Sequence, residues 1–187
     1  MKKLTKLFIA VVAVAVMASA QMNVKAQAFE NGSMVVNAGL GFGWYGYSYY
    51  GFGVSSLPAI SLSLEKGVKD LDFGVLSVGG IAGFKHGSWS GYGYDGSYND
   101  IVVAARGAVH IDIFKMDKVD TYGGLAVGIR AHNENYPYSS YVNDDFVRPL
   151  FAFYAGGRYY FTENLAGFGE VGYGLGYLTL GLSFKIK

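Results

Sequence analysis

From Ser33 to its last residue the chain falls into eight stretches in which apolar side chains alternate with small or polar ones. The last stretch is the clearest. In Tyr177–Lys187, Leu178, Leu180, Leu182, Phe184 and Ile186 share one face, and Thr179, Gly181, Ser183 and Lys185 share the other. A period of two over this length predicts a β-strand able to cross a bilayer at a tilt. Strand one is expected from Ser33 to Trp44, with Met34, Val36, Ala38, Leu40, Phe42 and Trp44 on one face. Strand two, Ala59–Gly67, sets Ile60, Leu62 and Leu64 against Ser61, Ser63 and Glu65. Strand three, Asp70–Phe84, alternates at Leu71, Phe73 and Val75 and then loses phase, which predicts a bulge at Gly79-Gly80.

The pattern returns in strand four, Ile101–Ile113, where Ala104, Arg106, Ala108, His110 and Asp112 oppose the apolar positions. Strand five, Val119–Ala131, opposes Leu125, Val127 and Ile129 to Tyr122, Gly124, Gly128 and Arg130. Strand six, Leu150–Phe161, opposes Phe151, Phe153, Tyr159 and Phe161 to Tyr154, Gly156, Arg158 and Tyr160. Strand seven is Leu165–Tyr173, with Ala166, Phe168, Glu170 and Gly172 on the face expected to turn inward. Connections after the even strands are short: Val68–Lys69, Phe114–Lys118 and Thr162–Asn164. Those after strands one, three and five are long: Tyr45–Pro58, Lys85–Asp100 and His132–Pro149. Between strands seven and eight only a few residues, around Gly174–Gly176, intervene. The fold predicted is all-β: a single eight-stranded antiparallel up-and-down transmembrane β-barrel, with its long loops extracellular and its N-terminus and short turns periplasmic.

A soluble barrel would also alternate, so the second face decides. Here it carries Gly, Ser, Ala and a few charges (Glu65, Arg106, Asp112, Arg130, Arg158, Glu170) rather than a lysine- and glutamate-rich coat. Eight strands leave an interior just wide enough for side chains, which suits that face. The uniformly Leu, Val, Ile and Phe face would aggregate in water and needs no cover in lipid. Trp44, Tyr45, Tyr159, Phe161, Tyr173 and Tyr177 gather at strand ends, as interfacial girdles do.

The start of the chain explains how such a barrel reaches an envelope. Lys2, Lys3 and Lys6 precede the apolar run Leu7–Ala18, too short for a membrane-spanning helix and suited to a signal-peptide core. Small-x-small sites follow at Ala18-Ser19-Ala20 and Ala26-Gln27-Ala28, and the second is favoured because the strands begin soon after it. Residues 1–28 are therefore expected to be a cleaved signal peptide and 29–187 the barrel. Of the 15 Lys and Arg residues the leader takes four (Lys2, Lys3, Lys6, Lys25), and it takes none of the 14 acids, leaving 11 against 14. No basic stripe for nucleic acid is present. With no cysteine there are no disulfides, no thiolate chemistry and no lipid-modified N-terminal cysteine.

The last quarter of the chain carries a family resemblance strongly, and the rest carries it by rhythm. Gly156-Gly157-Arg158-Tyr159-Tyr160-Phe161-Thr162-Glu163-Asn164, then Phe168-Gly169-Glu170-Val171-Gly172-Tyr173-Gly174, then Leu180-Gly181-Leu182-Ser183-Phe184 resembles the closing strands of small OmpA/OmpX-like outer-membrane barrel proteins. The resemblance implies an eight-stranded barrel inserted by the outer-membrane assembly machinery. One departure is that many members end on an aromatic residue, whereas here Lys185-Ile186-Lys187 follows Phe184.

Candidate chemistry is sparse. Arg158 and Glu170 on adjacent strands are expected to pair in the lumen, with Arg106, Arg130 and Asp112 joining a salt-bridge network that plugs the barrel. A gate or ion path is the alternative. His110-x-Asp112 lacks a third metal ligand. His86-x-Ser88 with Asp95 or Asp100 is a hydroxyl–imidazole–carboxylate set like that of eight-stranded lipid A deacylases, but it falls in an expected loop rather than on the wall. Asn143-Asp144-Asp145 has too few oxygen ligands for calcium. Tyr45, Tyr47, Tyr49, Tyr50, Trp89, Tyr92 and Tyr94, interleaved with Gly and Ser, are candidate loop contacts. The sequence thus points to a non-enzymatic, monomeric outer-membrane protein without cofactor or metal, in contact with outer-membrane lipid and lipopolysaccharide. Its expected work is envelope integrity or surface binding; a narrow porin-like channel and a lipid-modifying enzyme are the alternatives.

Overall fold

A computed structural model describes residues 29–43, 53–91, 94–135 and 145–186. Nine strands form one antiparallel sheet: β1 (Met34–Phe42), β2 (Gly53–Ser56), β3 (Ala59–Leu71), β4 (Gly74–Gly91), β5 (Tyr94–Ile111), β6 (Val119–Asn135), β7 (Phe146–Tyr160), β8 (Leu165–Tyr173) and β9 (Leu178–Ile186). Eight of them close into a ring in the order β1-β3-β4-β5-β6-β7-β8-β9, with β9 returning to β1. Every neighbour in this ring is antiparallel. β2 pairs with β4 alone and prolongs the line of β3 across Leu57-Pro58, where Pro58 has no N–H to offer a ladder. Leu57 N still donates to His86 O at 3.3 Å.

The ring is staggered. Paired residues lead from Leu40 through Ile60, Phe84, Ile101 and Ala131 to Val147; in the other direction they lead through Leu180 and Gly169 to Gly157, ten residues further along β7. That offset tilts all strands against the barrel axis. Closure also pairs the backbone groups strand to strand, the condition for a sheet to exist in hydrocarbon.

Alternation decides what each face meets. Ile60, Leu62 and Leu64 of β3, Leu125, Val127 and Ile129 of β6, Phe151 and Phe153 of β7, and Leu178, Leu180, Leu182, Phe184 and Ile186 of β9 all point outward and are exposed, Phe151 by 69%. The inward set includes Val35, Asn37, Ser61, Ser63, Glu65, Ser77, Arg106, Arg158 and Ser183, all buried. A molecule with its aliphatic side chains outside and its charges inside is inverted relative to a water-soluble domain. Tyr159 pairs with Phe161 near the short turns, centroids 5.7 Å apart, and Tyr173 with Tyr177 near the opposite end, at 6.5 Å. Trp44 and Tyr45 lie outside the described residues.

Three expectations need correction. Gly79 and Gly80 stay in register with both neighbours, and the irregularity lies instead between Gly67 and Lys69 of β3. The alternation is masked in the sequence because β4 places glycine on both faces, and because Ile81 points inward and is buried. The turn after β3 falls at Asp72-Phe73 rather than Val68–Lys69. The long connection Lys85–Asp100 is mostly strand, zipped from Lys85↔Asp100 to Gly91↔Tyr94. Aromatic rings laid over glycines hold that extension: Trp89 over Gly96, and Tyr98 over Gly87, each directly cross-strand.

The face assignment has a direct check. Leu180→Arg should cost about 2–4 kcal/mol in urea unfolding from lipid vesicles, whereas Ile113→Arg, in the turn between β5 and β6, should cost about 0–1 kcal/mol. Equal losses would mean that the apolar belt does not lie in lipid.

Candidate functional site

The inward phase of seven ring strands brings ionisable, hydroxyl and amide side chains to one level of the lumen, and Ser77 of β4 adds an eighth. β3 supplies Ser63 and Glu65, β5 Arg106 and His110, β6 Asp120 and Tyr122, β7 Tyr154 and Arg158, β8 Glu170, β1 Asn37 and β9 Ser183. Arg158 is 1% exposed; its Nη1 donates to Asp120 Oδ2 at 2.7 Å and its Nη2 donates to Glu65 Oε1. Arg106 Nη2 donates to Glu170 Oε1 at 2.7 Å, its Nε to Tyr154 Oη at 3.0 Å and its Nη1 to Ser63 Oγ at 3.3 Å. Tyr122 Oη donates to the same Glu170 oxygen at 2.9 Å. Glu65 Oε2, 3.9 Å from Arg106 Nε, joins the two halves.

The remaining polar groups extend the network. His110 Nδ1 donates to Asp120 Oδ1 at 2.8 Å, and its Nε2 lies 3.0 Å from Ser77 Oγ. Asn37 Nδ2 donates to Ser63 Oγ at 2.9 Å, and Ser183 Oγ donates to Asn37 Oδ1 at 2.6 Å. All eight ring strands therefore contribute to one cluster of hydrogen bonds and ion pairs that holds two guanidiniums, three carboxylates and one imidazole. The order Ser77–His110–Asp120 is that of a hydrolase triad, but Ser77 is 1% exposed and the Phe29 ring stacks on the imidazole at 3.8 Å, so no substrate carbonyl can approach. Gly156 makes room for the cluster: a Cβ there would fall 2.8 Å from Glu170 Cγ.

A second cluster stands nearer the loop end. Asp100, 1% exposed, accepts from Arg130 Nε at 2.8 Å, from Arg130 Nη2 at 2.7 Å and from His132 Nδ1 at 2.9 Å. His132 stacks on Phe146 at 4.9 Å, and the Arg148 guanidinium lies 4.1 Å over the same Phe146 ring.

Of the five residues expected to form one network, the structure brings Arg106, Arg158 and Glu170 together, though not as Arg158–Glu170. The Tyr122 ring lies under the Arg158 guanidinium at 4.5 Å while its hydroxyl meets Glu170, so it separates the two. Arg130 belongs to the Asp100 cluster. Asp112 lies past the end of β5, exposed, and accepts from Met116 N at 3.3 Å as a turn residue. Trp89 is buried inside the β4–β5 extension and is not a loop contact. Tyr94 begins β5 opposite Gly91; Tyr45, Tyr47, Tyr49, Tyr50 and Tyr92 lie outside the described residues, as do residues 1–28, Asn143 and Asp144. His86 and Ser88 are on the outer face of β4 rather than in a loop, but His86 Nδ1 meets Asn99 Oδ1 at 2.9 Å and Asp100 faces the lumen. Asp95 lies opposite Ser90, four residues along the hairpin from His86, so neither expected carboxylate is brought to that imidazole.

Sequence reasoning missed Asp120, Tyr122 and Tyr154 as members, and left Glu65 and His110 without partners. All five were in phase with the inward face, which was the available signal. Some lumen partners are cross-strand neighbours, as with Arg158 and Asp120, but others come from opposite sides of the ring, as with Arg158 and Glu65, and no spacing along the chain marks those.

An eight-stranded up-and-down ring with an apolar outside and an ionic inside is the architecture of small outer-membrane β-barrels. Among solved structures, the outer membrane protein OprG from Pseudomonas aeruginosa shares this fold at a TM-score of 0.51 and 13% identity, over 88% of this chain and 99% of that one. Ail, the attachment invasion locus protein of Yersinia pestis (TM-score 0.44, 15% identity, 83% and 96% covered), and the N-terminal barrel of Pseudomonas aeruginosa OprF (0.40, 17%, 83% and 98%) superpose less closely. No family model and no curated protein matches the sequence.

Removing one member of the cluster should expose how tightly it is coupled. Arg158→Leu leaves Glu65 and Asp120 buried without their cation and should cost about 3–5 kcal/mol in urea unfolding. Adding Glu65→Gln should recover part of that loss. Asp112→Ala should stay within about 0.5 kcal/mol of the parent.

Proposed function

We propose that this chain is an integral outer-membrane protein that catalyses no reaction and conducts no solute. It acts at the cell surface, in envelope integrity or in contacts made through its Tyr- and Gly-rich loops. Its N-terminus and short turns are periplasmic, and its belt is solvated by outer-membrane lipid and lipopolysaccharide.

The observation that carries this reading is the filled lumen. Arg158, Glu65, Asp120, Arg106 and Glu170 span it with ion pairs, and none is more than 8% exposed. A cleft lined by Asn37, Ser61, Ser63, Thr179 and Phe168 enters the lumen and reaches Arg106 and Glu170. That cleft favours a second reading, a narrow ion path that the pair would gate. Planar-bilayer recording separates the two readings. The refolded protein should show no steady open state; a steady open state whose conductance changes in Arg106→Ala would replace the surface-contact reading with the channel. For the loops, converting Tyr45, Tyr47, Tyr49 and Tyr50 to Ser should reduce attachment of intact cells to surfaces several-fold, about what losing 1 kcal/mol predicts. The heat-dependent gel shift of the barrel should be unchanged.

A further inference from the structure

We propose that Phe29, held by the turn that follows it, is a stopper for the short-turn mouth of the barrel. The residue precedes β1 and belongs to no ladder, yet it is only 6% exposed. A phenylalanine at a membrane surface can bury its ring in the interface. This one instead enters a polar lumen, stacks on His110 at 3.8 Å with 12° between planes, and lies 5.8 Å from the Arg158 guanidinium.

The segment behind it is fastened to β3. Ser33 N donates to Glu30 O at 3.0 Å and Glu30 N to Ser33 Oγ at 3.1 Å, which closes the turn. Gly32 N donates to Gly67 O at 3.0 Å, Gly67 N to Ser33 O at 2.9 Å, and Asn31 Nδ2 to Asp70 Oδ2 at 2.8 Å. Gly67 faces inward at the position the segment crosses. A Cβ there would fall 3.1 Å from the edge of the Phe29 ring and collide with the Glu30 carbonyl. Directly across the β3–β4 pairing from Gly67 is Ser77, the innermost hydroxyl of the His110–Asp120 chain. The ring is thus an outer layer over the ionic cluster at this mouth.

This inference rests on the filled-lumen reading and adds what closes the lumen at its periplasmic end.

The chain has no cysteine, so Ser77→Cys provides a single reporter behind the ring. The folded barrel in detergent micelles, its fold checked by the heat-dependent gel shift, is reacted with a cationic methanethiosulfonate reagent. In protein beginning at Phe29 the thiol should react slowly; Phe29→Ala, and separately Gly67→Ala, should each raise the rate about tenfold or more. Unchanged rates in both variants would overturn the stopper. If Ser77→Cys does not fold, hydrogen exchange at the Gly67 amide gives the same two comparisons without it. Conductance of the parent tests the filled lumen separately: a steady open state sinks that reading, whereas a closed parent with unchanged labelling sinks the stopper alone.

Discussion

Five charged side chains meet across a lumen only as wide as those side chains, and the rest of the barrel is arranged to make that meeting tolerable. A guanidinium or carboxylate removed from water is costly unless every lone pair and proton finds a partner. Arg158 reaches Glu65 and Asp120. Arg106 reaches Glu170, Tyr154 and Ser63. The glycines and serines around them serve that geometry, since larger side chains on the inner face would push the charges apart. The network also couples strands that never pair in the ladder. β3 and β7 are not neighbours in the ring, yet Glu65 and Arg158 join them directly.

Because the charged groups pair with one another inside, the outer face is released from any duty except contact with lipid. That division makes the alternation unusually legible. β8 has the bounds that the sequence pattern assigns it, Leu165–Tyr173, and β9 differs from its expected span only at the ends. Legibility fails where the chemistry of the two faces converges. On β4, Gly79, Gly80, Ala82 and Gly83 carry almost no polarity contrast, so a continuous strand reads as an interruption. It fails again at Lys85–Asp100, where Gly, Ser and Tyr resemble a loop but the chain forms a hairpin. Those glycines are spaces into which Trp89 and Tyr98 fold from the facing strand, a relation visible only once the register is known.

The candidate site was legible in membership more than in pairing. Phase alone put Arg106, Arg158 and Glu170 inside. It also put Asp112 inside, because periodicity does not announce where a strand stops. β5 ends at Ile111, one residue too soon for Asp112 to enter the lumen. Pairing was hidden for a geometric reason. Adjacent strands suggest adjacent partners, but inward side chains in a narrow barrel reach across it as readily as sideways. Phe29 was hidden for another: it lies outside any periodic segment, and only the lumen-facing Gly67 and the face of the His110 imidazole give it a place.

The two ends of this barrel are built to different ends. β1, β8 and β9 have nine residues each, close to the minimum for a tilted crossing, while β4 and β5 have 18 and β6 has 17. The β3–β4 turn, at Asp72-Phe73, fixes the near end of β4, so the extra length projects at the loop end. There the hairpin is stiffened from within by Trp89 and Tyr98, and the Asp100, Arg130 and His132 cluster stands at the inner surface of its root. At the opposite end the turns are tight and the mouth holds Phe29. A pore needs neither a stiffened rim on one side nor a ring stacked into its other opening. A platform that must hold surface loops above a sealed membrane has a use for both.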